Sequence, residues 1–276
     1  RTTVRRMQSR LQRDSAVERL EPGRYRAVVD RGWWIHRGPN GGYVAAILVR
    51  AIDAEVGDPD RLLRSLTIHY LRTPEEGSAE VAVVIRRQGR TLSTVTAELH
   101  QDGTLHALAT AAVASERSGT PEFDELAAPE VAEPDEVAGR ERGALSAPPP
   151  IPMSARYEQR YCIGTPPFQA GPAASSGGWI RQADEGPVDV AALVAYADAW
   201  SPAIFSLGTF VPVPTVDLTV HVRRDPSGFD TSWCLVRFRT NVAAGGYVEE
   251  DGEIWSRDGA LLAQSRQLAV MMPLPA

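Results

Sequence analysis

The chain has 276 residues, a net charge of −6, and 43% hydrophobic against 23% charged residues, the balance of a water-soluble globular protein with room for two domains. That charge excludes a general basic footprint for nucleic acid. All 29 basic residues are arginine, which excludes a lysine Schiff base, a lysine general base and a G-x-x-x-x-G-K phosphate loop.

In chain order, Arg1 to Arg13 is arginine-rich and lacks an apolar core, so it is not a secretory signal. It is expected as a mobile arm, with Met7 as a candidate natural start. Gly41 to Glu55 follows a Gly-Pro-Asn-Gly-Gly opening and is apolar nearly all round, which predicts a buried helix. Alternating strands come next. Thr94 to Leu99 and Thr104 to Val113 flank Asp102-Gly103, a hairpin signal. From Ser115 to Pro150 acids, alanines and prolines replace the alternation, ending in Pro148-Pro149-Pro150, and predict a surface linker. Val188 to Ala203 is a second apolar helix, and Asp258-Gly259 a second hairpin turn. Two cysteines, Cys162 and Cys234, are too few for a disulfide framework or a structural zinc site, and are expected as reduced buried thiols of a cytoplasmic protein. No stretch approaches the apolar length of a membrane-spanning helix, so no membrane partner is expected.

The two apolar-helix segments belong to an internal repeat. Leu66-Thr67-Ile68-His69-Tyr70-Leu71-Arg72 matches Leu218-Thr219-Val220-His221-Val222-Arg223-Arg224 at a spacing of 152. Glu98 to Gly103 matches Glu253 to Gly259, with the Asp-Gly turns 156 apart. The expected organisation is a first copy over residues 16–115, a linker over 116–150, and a second copy over 151–276. Each copy is α+β: one buried helix wrapped by an antiparallel sheet.

Several motifs in this order resemble one family. In the first copy they are Asn40-Gly41-Gly42-Tyr43, Arg64 to Arg72, and Arg87-Gln88-Gly89-Arg90-Thr91-Leu92-Ser93. In the second they are Ala195-Tyr196-Ala197-Asp198-Ala199, Pro214-Thr215-Val216-Asp217 and Gln264-Ser265-Arg266-Gln267. The runs from about Trp34 to Ala114 and from Gly178 to Met272 resemble the double hot-dog acyl-CoA thioesterases of the thioesterase II type. The resemblance implies a double hot-dog, with two antiparallel sheets each wrapped around a long central helix, and the halves packed as a pseudo-dimer. It implies hydrolysis of acyl-CoA thioesters without a covalent nucleophile. Coenzyme A then enters as part of the substrate, and no cofactor is expected. An Asp, a Thr and a Gln position the attacking water in that family, and these fall on Asp198, Thr215 and Gln267. Further pairing into a homodimer or higher homo-oligomer is also expected.

The residues carry arguments of their own. Asp198 follows the apolar run Val190 to Ala197. A buried carboxylate there needs either a structural partner or an environment that tunes it for catalysis. Gln267 stands where the first copy has Ala111, which fits either a site used in one copy or an exposed edge-strand residue. Thr215 fits a site or ordinary strand packing. Gly41-Gly42 after Asn40 leaves backbone N–H groups open to an oxyanion, or else serves close helix packing. The first copy lacks the acid, having Val49 at the position of Asp198, and the second lacks the glycines, having Asp189-Val190. In hot-dog dimers the helix start of one unit faces the acid of the other, so two degenerate halves would still compose one site. In that site Asp198 is the general base, Thr215 and Gln267 hold the water, and the Gly42 N–H stabilises the oxyanion. Arg72, Arg87 and Arg90, with Arg86, are candidates for the phosphates of coenzyme A, or plain solvated charge. His69 and His221 are repeat-related and expected to be structural. His36, beside the first helix start, is the histidine to test.

Two rivals share the fold: a hot-dog hydratase or dehydratase, and an acyl-CoA-binding hot-dog without turnover. The first usually needs a histidine paired with an aspartate, and Asp198 has no such partner in the pattern. The second is opposed by the retention of Asp, Thr and Gln. No G-x-S-x-G elbow and no G-x-G-x-x-G fingerprint occurs. The acyl chain stays open, with Trp34, Trp200 and Phe205 as candidates for shortening its tunnel.

Overall fold

The computed structural model describes residues 8–138, 151–208 and 211–273. Arg1–Met7 of the expected arm and the Pro148-Pro149-Pro150 run lie outside these residues. The rest of the expected arm packs onto the protein. Ser9 caps a short helix, α1 (Arg10–Asp14), through a reciprocal bond with Gln12, and Leu11 is buried in the core.

The first copy runs β1 (Glu18–Glu21), β2 (Arg24–Val29), α2 (Gly41–Val56), β3 (Leu62–Tyr70), β4 (Gly77–Gln88), β5 (Leu92–Gln101) and β6 (Thr104–Ala114). The second runs β7 (Tyr157–Gly164), β8 (Ser175–Gln182), α3 (Val190–Tyr196), β9 (Thr215–Val222), β10 (Cys234–Arg239), β11 (Ala243–Ala244), β12 (Tyr247–Ser256) and β13 (Leu261–Val270). Asp102 and Gly103 both take positive φ, 48° and 75°, the geometry of the tight hairpin that joins β5 to β6.

The expected pair of sheets is in fact one. A 13-stranded antiparallel sheet runs β1-β2-β4-β5-β6-β3-β9-β13-β12-β10-β8-β7, with β11 paired on β12. The junction is β3 against β9, the two repeat-related strands. Leu66 faces Val220, Thr67 faces Thr219 and Ile68 faces Leu218. The local two-fold therefore passes between Thr67 and Thr219, whose hydroxyls share a 2.9 Å hydrogen bond. Pairing like strands removes the exposed edge that each half-sheet would otherwise present. Thr67→Val is expected to cost about 1 kcal/mol in denaturant unfolding, the worth of one such bond.

The two helices differ. In α2, Asn40 Oδ1 accepts from the Tyr43 N–H (3.1 Å) and Gly57 closes the C-terminus in the left-handed conformation. Ten of its residues are buried between the sheet and α3. The second helix was expected to reach Ala203 but stops at Tyr196 after seven residues. Ala197, Asp198 and Ala199 form a turn with 3-10-type bonds. Ser201-Pro202 then blocks any continuation, since proline cannot donate to the ladder. Asp198 thus sits on a turn at a helix end, not within a helix.

The expected linker partly folds as a strap across the outer sheet face of the second half. Leu126, Ala128, Val131 and Val137 pack on Trp179, Trp233 and Trp255. Trp179 Nε1 donates to the Ala132 carbonyl (2.9 Å), and Arg257 pairs with Glu133 (2.9 Å). Both faces of β10 are therefore covered at its start, where Cys234, Leu235 and Val236 are apolar and buried in succession. Cys234 is buried, Cys162 half-buried, and both are free thiols. Among the described residues, no helix is long and apolar enough to cross a membrane.

Candidate active site

Asn40, Gly41, Gly42 and Asp198 come together across the two halves. Asp198 Oδ2 accepts from the Gly42 N–H (2.9 Å) and from Asn40 Nδ2 (2.8 Å). Asn40 Nδ2 also donates to the Asp198 carbonyl (2.7 Å), so one amide braces both the turn and its acid. The carboxylate rests on the N-terminus of α2, where free amides and the helix dipole favour negative charge. Asp198 Oδ1 takes no hydrogen bond from the described residues. Burial pushes this carboxyl up to about 6, against the pull of the Gly42, Gly41 and Asn40 donors.

The close-packing reading of the glycine pair applies to Gly42. A Cβ there would stand 2.6 Å from the Ala195 carbonyl oxygen, so the helices touch backbone to backbone. Its N–H donates to Asp198 Oδ2, a contact that fixes the acid. Asn40, expected against substrate, is the helix cap and the brace. Gly41 accepts at its carbonyl from the Tyr70 hydroxyl (2.9 Å), and Tyr70 feels the Asp198 charge.

Thr215 and Gln267 also meet. Thr215 Oγ1 donates to Gln267 Oε1 (3.1 Å). Gln267 is buried on an interior strand between β9 and β12, not at an edge. Thr215 reaches inward because the ladder slips by one residue opposite Leu268 and Ala269. The same slip occurs in the first copy between Leu63 and Ser65, where Leu63 turns into the core. A bulge at matched positions thus aims Leu63 in one half and Thr215 in the other.

The sequence reading missed Glu250. It is buried on β12, paired across the ladder with Gln267, whose Nε2 donates to Glu250 Oε1 (2.8 Å). The Ala203 N–H donates to Oε2. Burial pushes this carboxyl up to about 7, and the Asp198 charge adds to the rise. The repeat held the signal: the β5 residue matched to Glu250 is Val95, and Val95 pairs with Ala111 as Glu250 pairs with Gln267. An apolar cross-strand pair in one half is a polar pair in the other. Tyr157 was missed as well; its buried hydroxyl has no partner among the described residues, and it too feels Asp198.

The mirror position is sealed. Asp189 caps α3, and its Oδ2 is taken by Arg50 (2.7 Å) and Gln12 (3.0 Å). Leu63, Val95 and Ala111 stand there in place of Thr215, Glu250 and Gln267.

The arginines divide. Arg72 leaves the Tyr70 end of β3, the end that holds Gly41 and Thr215. Arg87 and Arg90 lie at the β4–β5 turn beside the Leu62 end, roughly 25 Å away along the nine-residue strand. The structure does not bring them together with Asp198. Arg86 bonds Thr96 (2.8 Å) on the exposed face, where His69 and His221 also lie. His36 is exposed on the loop before α2.

The conserved protein of unknown function with a hot-dog fold from Alicyclobacillus acidocaldarius is 28% identical, with a TM-score of 0.86 over 98% of this chain and 100% of that one. The acyl-CoA thioesterase II TesB2 from Mycobacterium marinum is 21% identical, with a TM-score of 0.74 over 96% and 98%. The tesB protein of Mycobacterium avium subs paratuberculosis is 18% identical, with a TM-score of 0.74 over 95% and 98%. No curated protein matches the chain. The sequence model of the acyl-CoA thioesterase N-terminal domain matches residues 30–115, and that of the C-terminal domain matches residues 126–271. Matched by both domains in order, over more than half its length, the chain belongs to the acyl-CoA thioesterase family.

Proposed function

We propose that the protein hydrolyses acyl-CoA thioesters with water activated by Asp198 and without a covalent intermediate. One observation carries this reading: a single acid is held by the other half's helix start, and its charge is felt by the buried Glu250 that ends a threonine–glutamine–glutamate chain. Asp198 Oδ1 takes a proton from the water as its oxygen adds to the thioester carbonyl carbon. The tetrahedral species collapses with cleavage of the C–S bond, and Asp198 returns the proton to the departing thiolate. A base titrating near 6 is ionised at neutral pH yet still basic enough to act. Free-thiol release across a series of acyl-CoA chain lengths tests the proposal, and no release at any length overturns it.

Arg72, placed at this end of the sheet, is proposed to meet a coenzyme A phosphate. Arg72→Ala is expected to raise KM several-fold and leave kcat unchanged, as measured on the best acyl-CoA of that series.

One observation favours a non-catalytic acyl-CoA-binding reading: Asp198 already satisfies the Gly42 N–H at the start of α2, a role that needs no chemistry. Calorimetric binding of acyl-CoA without thiol release would select it.

A further inference from the structure

We propose that Glu250 is a positioning residue, whose carboxylate fixes which way the Gln267 amide points and so sets the direction of the hydrogen-bond chain that holds the attacking water. The inference rests on the hydrolytic reading above. An ionised carboxylate has no proton to give. Facing one, Gln267 must present its Nε2, as it does at 2.8 Å. Its Oε1 then faces Thr215 and accepts that hydroxyl's only proton at 3.1 Å. Thr215 is left with lone pairs alone for the water. A water between Thr215 Oγ1 and Asp198 Oδ1 gives one proton to each and keeps a lone pair for the carbonyl carbon. Were the chain reversed, Thr215 would donate to the water, tying up one of its two lone pairs and making its oxygen a weaker nucleophile.

The Ala203 N–H fixes the other end. It is a backbone donor with one direction, and it holds Glu250 Oε2. Burial first, and then the charges of Asp198 and Glu249, oppose ionisation of Glu250, while the Ala203 and Gln267 donors favour it. The first half, with Val95, Ala111 and Leu63 at these places, has no counterpart of the chain.

Glu250→Gln is nearly isosteric, but the Ala203 N–H claims the new amide's oxygen. Its NH2 then faces Gln267 and turns that amide over, reversing the chain. The expected result is a fall in kcat of about 10²-fold with KM within about twofold and the fold retained. The E250Q/Q267E exchange restores the direction, because the carboxylate moved to position 267 accepts from both Thr215 and the amide at 250. It is expected to recover at least about tenfold of the loss. Wild-type kcat in E250Q, or an exchange variant no faster than E250Q, overturns the proposal. Side-chain amide NMR of Gln267 reads the same contact without turnover. The wild-type resonance is expected to shift as pH passes about 7. That shift should vanish in E250Q, and a shift that persists unchanged in E250Q also overturns the proposal. Wild-type enzyme that releases no thiol, yet shows the amide shift, defeats the hydrolytic reading and leaves the Glu250 contact standing.

Discussion

Asp198→Asn is expected to lower kcat by about 10³–10⁴-fold and to make the protein more stable at the same time. The activity loss follows from removing the base while its geometry survives. An asparagine oxygen still accepts from the Gly42 N–H and from Asn40, so the turn stays docked on α2. The stability gain follows from where the carboxyl titrates: near 6 in the fold, against 3.8 as its ordinary value. As pH rises from 4 to 6 the unfolded chain loses this proton first. The folded state then binds more protons, so stability falls with rising pH through that window. Above it the ionised acid costs up to about 3 kcal/mol, a cost that the neutral amide does not carry. Urea unfolding should therefore show the variant ahead at pH 8 and level with the wild type near pH 4. The same titration bears on rate, because wild-type kcat/KM should fall as Asp198 is protonated near pH 6, after a first decline from about pH 7 as Glu250 takes up its proton. Equal stability at both pH values would mean that Asp198 is not strained by burial. Undiminished turnover would remove it from the chemistry.

The parts of this site that lie on matched positions were legible in the sequence. The repeat placed Gly41, Gly42 and Asp198 on unequal halves, and the structure joins them at 2.9 Å. Gln267 was legible because an amide replaces Ala111 at the same rung. Glu250 was equally available by the same comparison with Val95, but in a run rich in acids it reads as one more solvated charge. Thr215 could not be aimed from the sequence. Strict alternation from the buried Leu218 turns position 215 outward, and only the slip in the ladder brings it in. The length of α3 was also out of reach, because apolarity continues past Tyr196 while the helix does not. Apolar character records burial, and Ala197 and Ala199 are buried in a turn as fully as in a helix. The merging of two sheets into one depended on β3 pairing with its own repeat, a tertiary choice that no single copy encodes.

Gly42→Ala is expected to damage stability and rate together, through one contact. The added methyl would stand 2.6 Å from the Ala195 carbonyl oxygen, 3.1 Å from Ala195 Cα and 3.1 Å from Asn40 Oδ1. Two of these neighbours are backbone, and neither can turn aside as a side chain would. Helices α2 and α3 must separate, at about 1–3 kcal/mol for overpacking of this kind. Asp198 lies three residues beyond Ala195 and moves with it, so its 2.9 Å bond to the Gly42 N–H lengthens or breaks. A displaced base costs rate steeply, on the order of 10²-fold for an error near 1 Å. Thr67→Val is the control, because it also lowers stability but lies on the outer face at the junction of the halves. Denaturant unfolding and thiol release measured on both variants separate the two effects. Gly42→Ala should lose kcat well beyond its loss of folded protein, whereas Thr67→Val should keep kcat. If both keep kcat, the helix contact supports the fold alone and the aim of Asp198 does not depend on it.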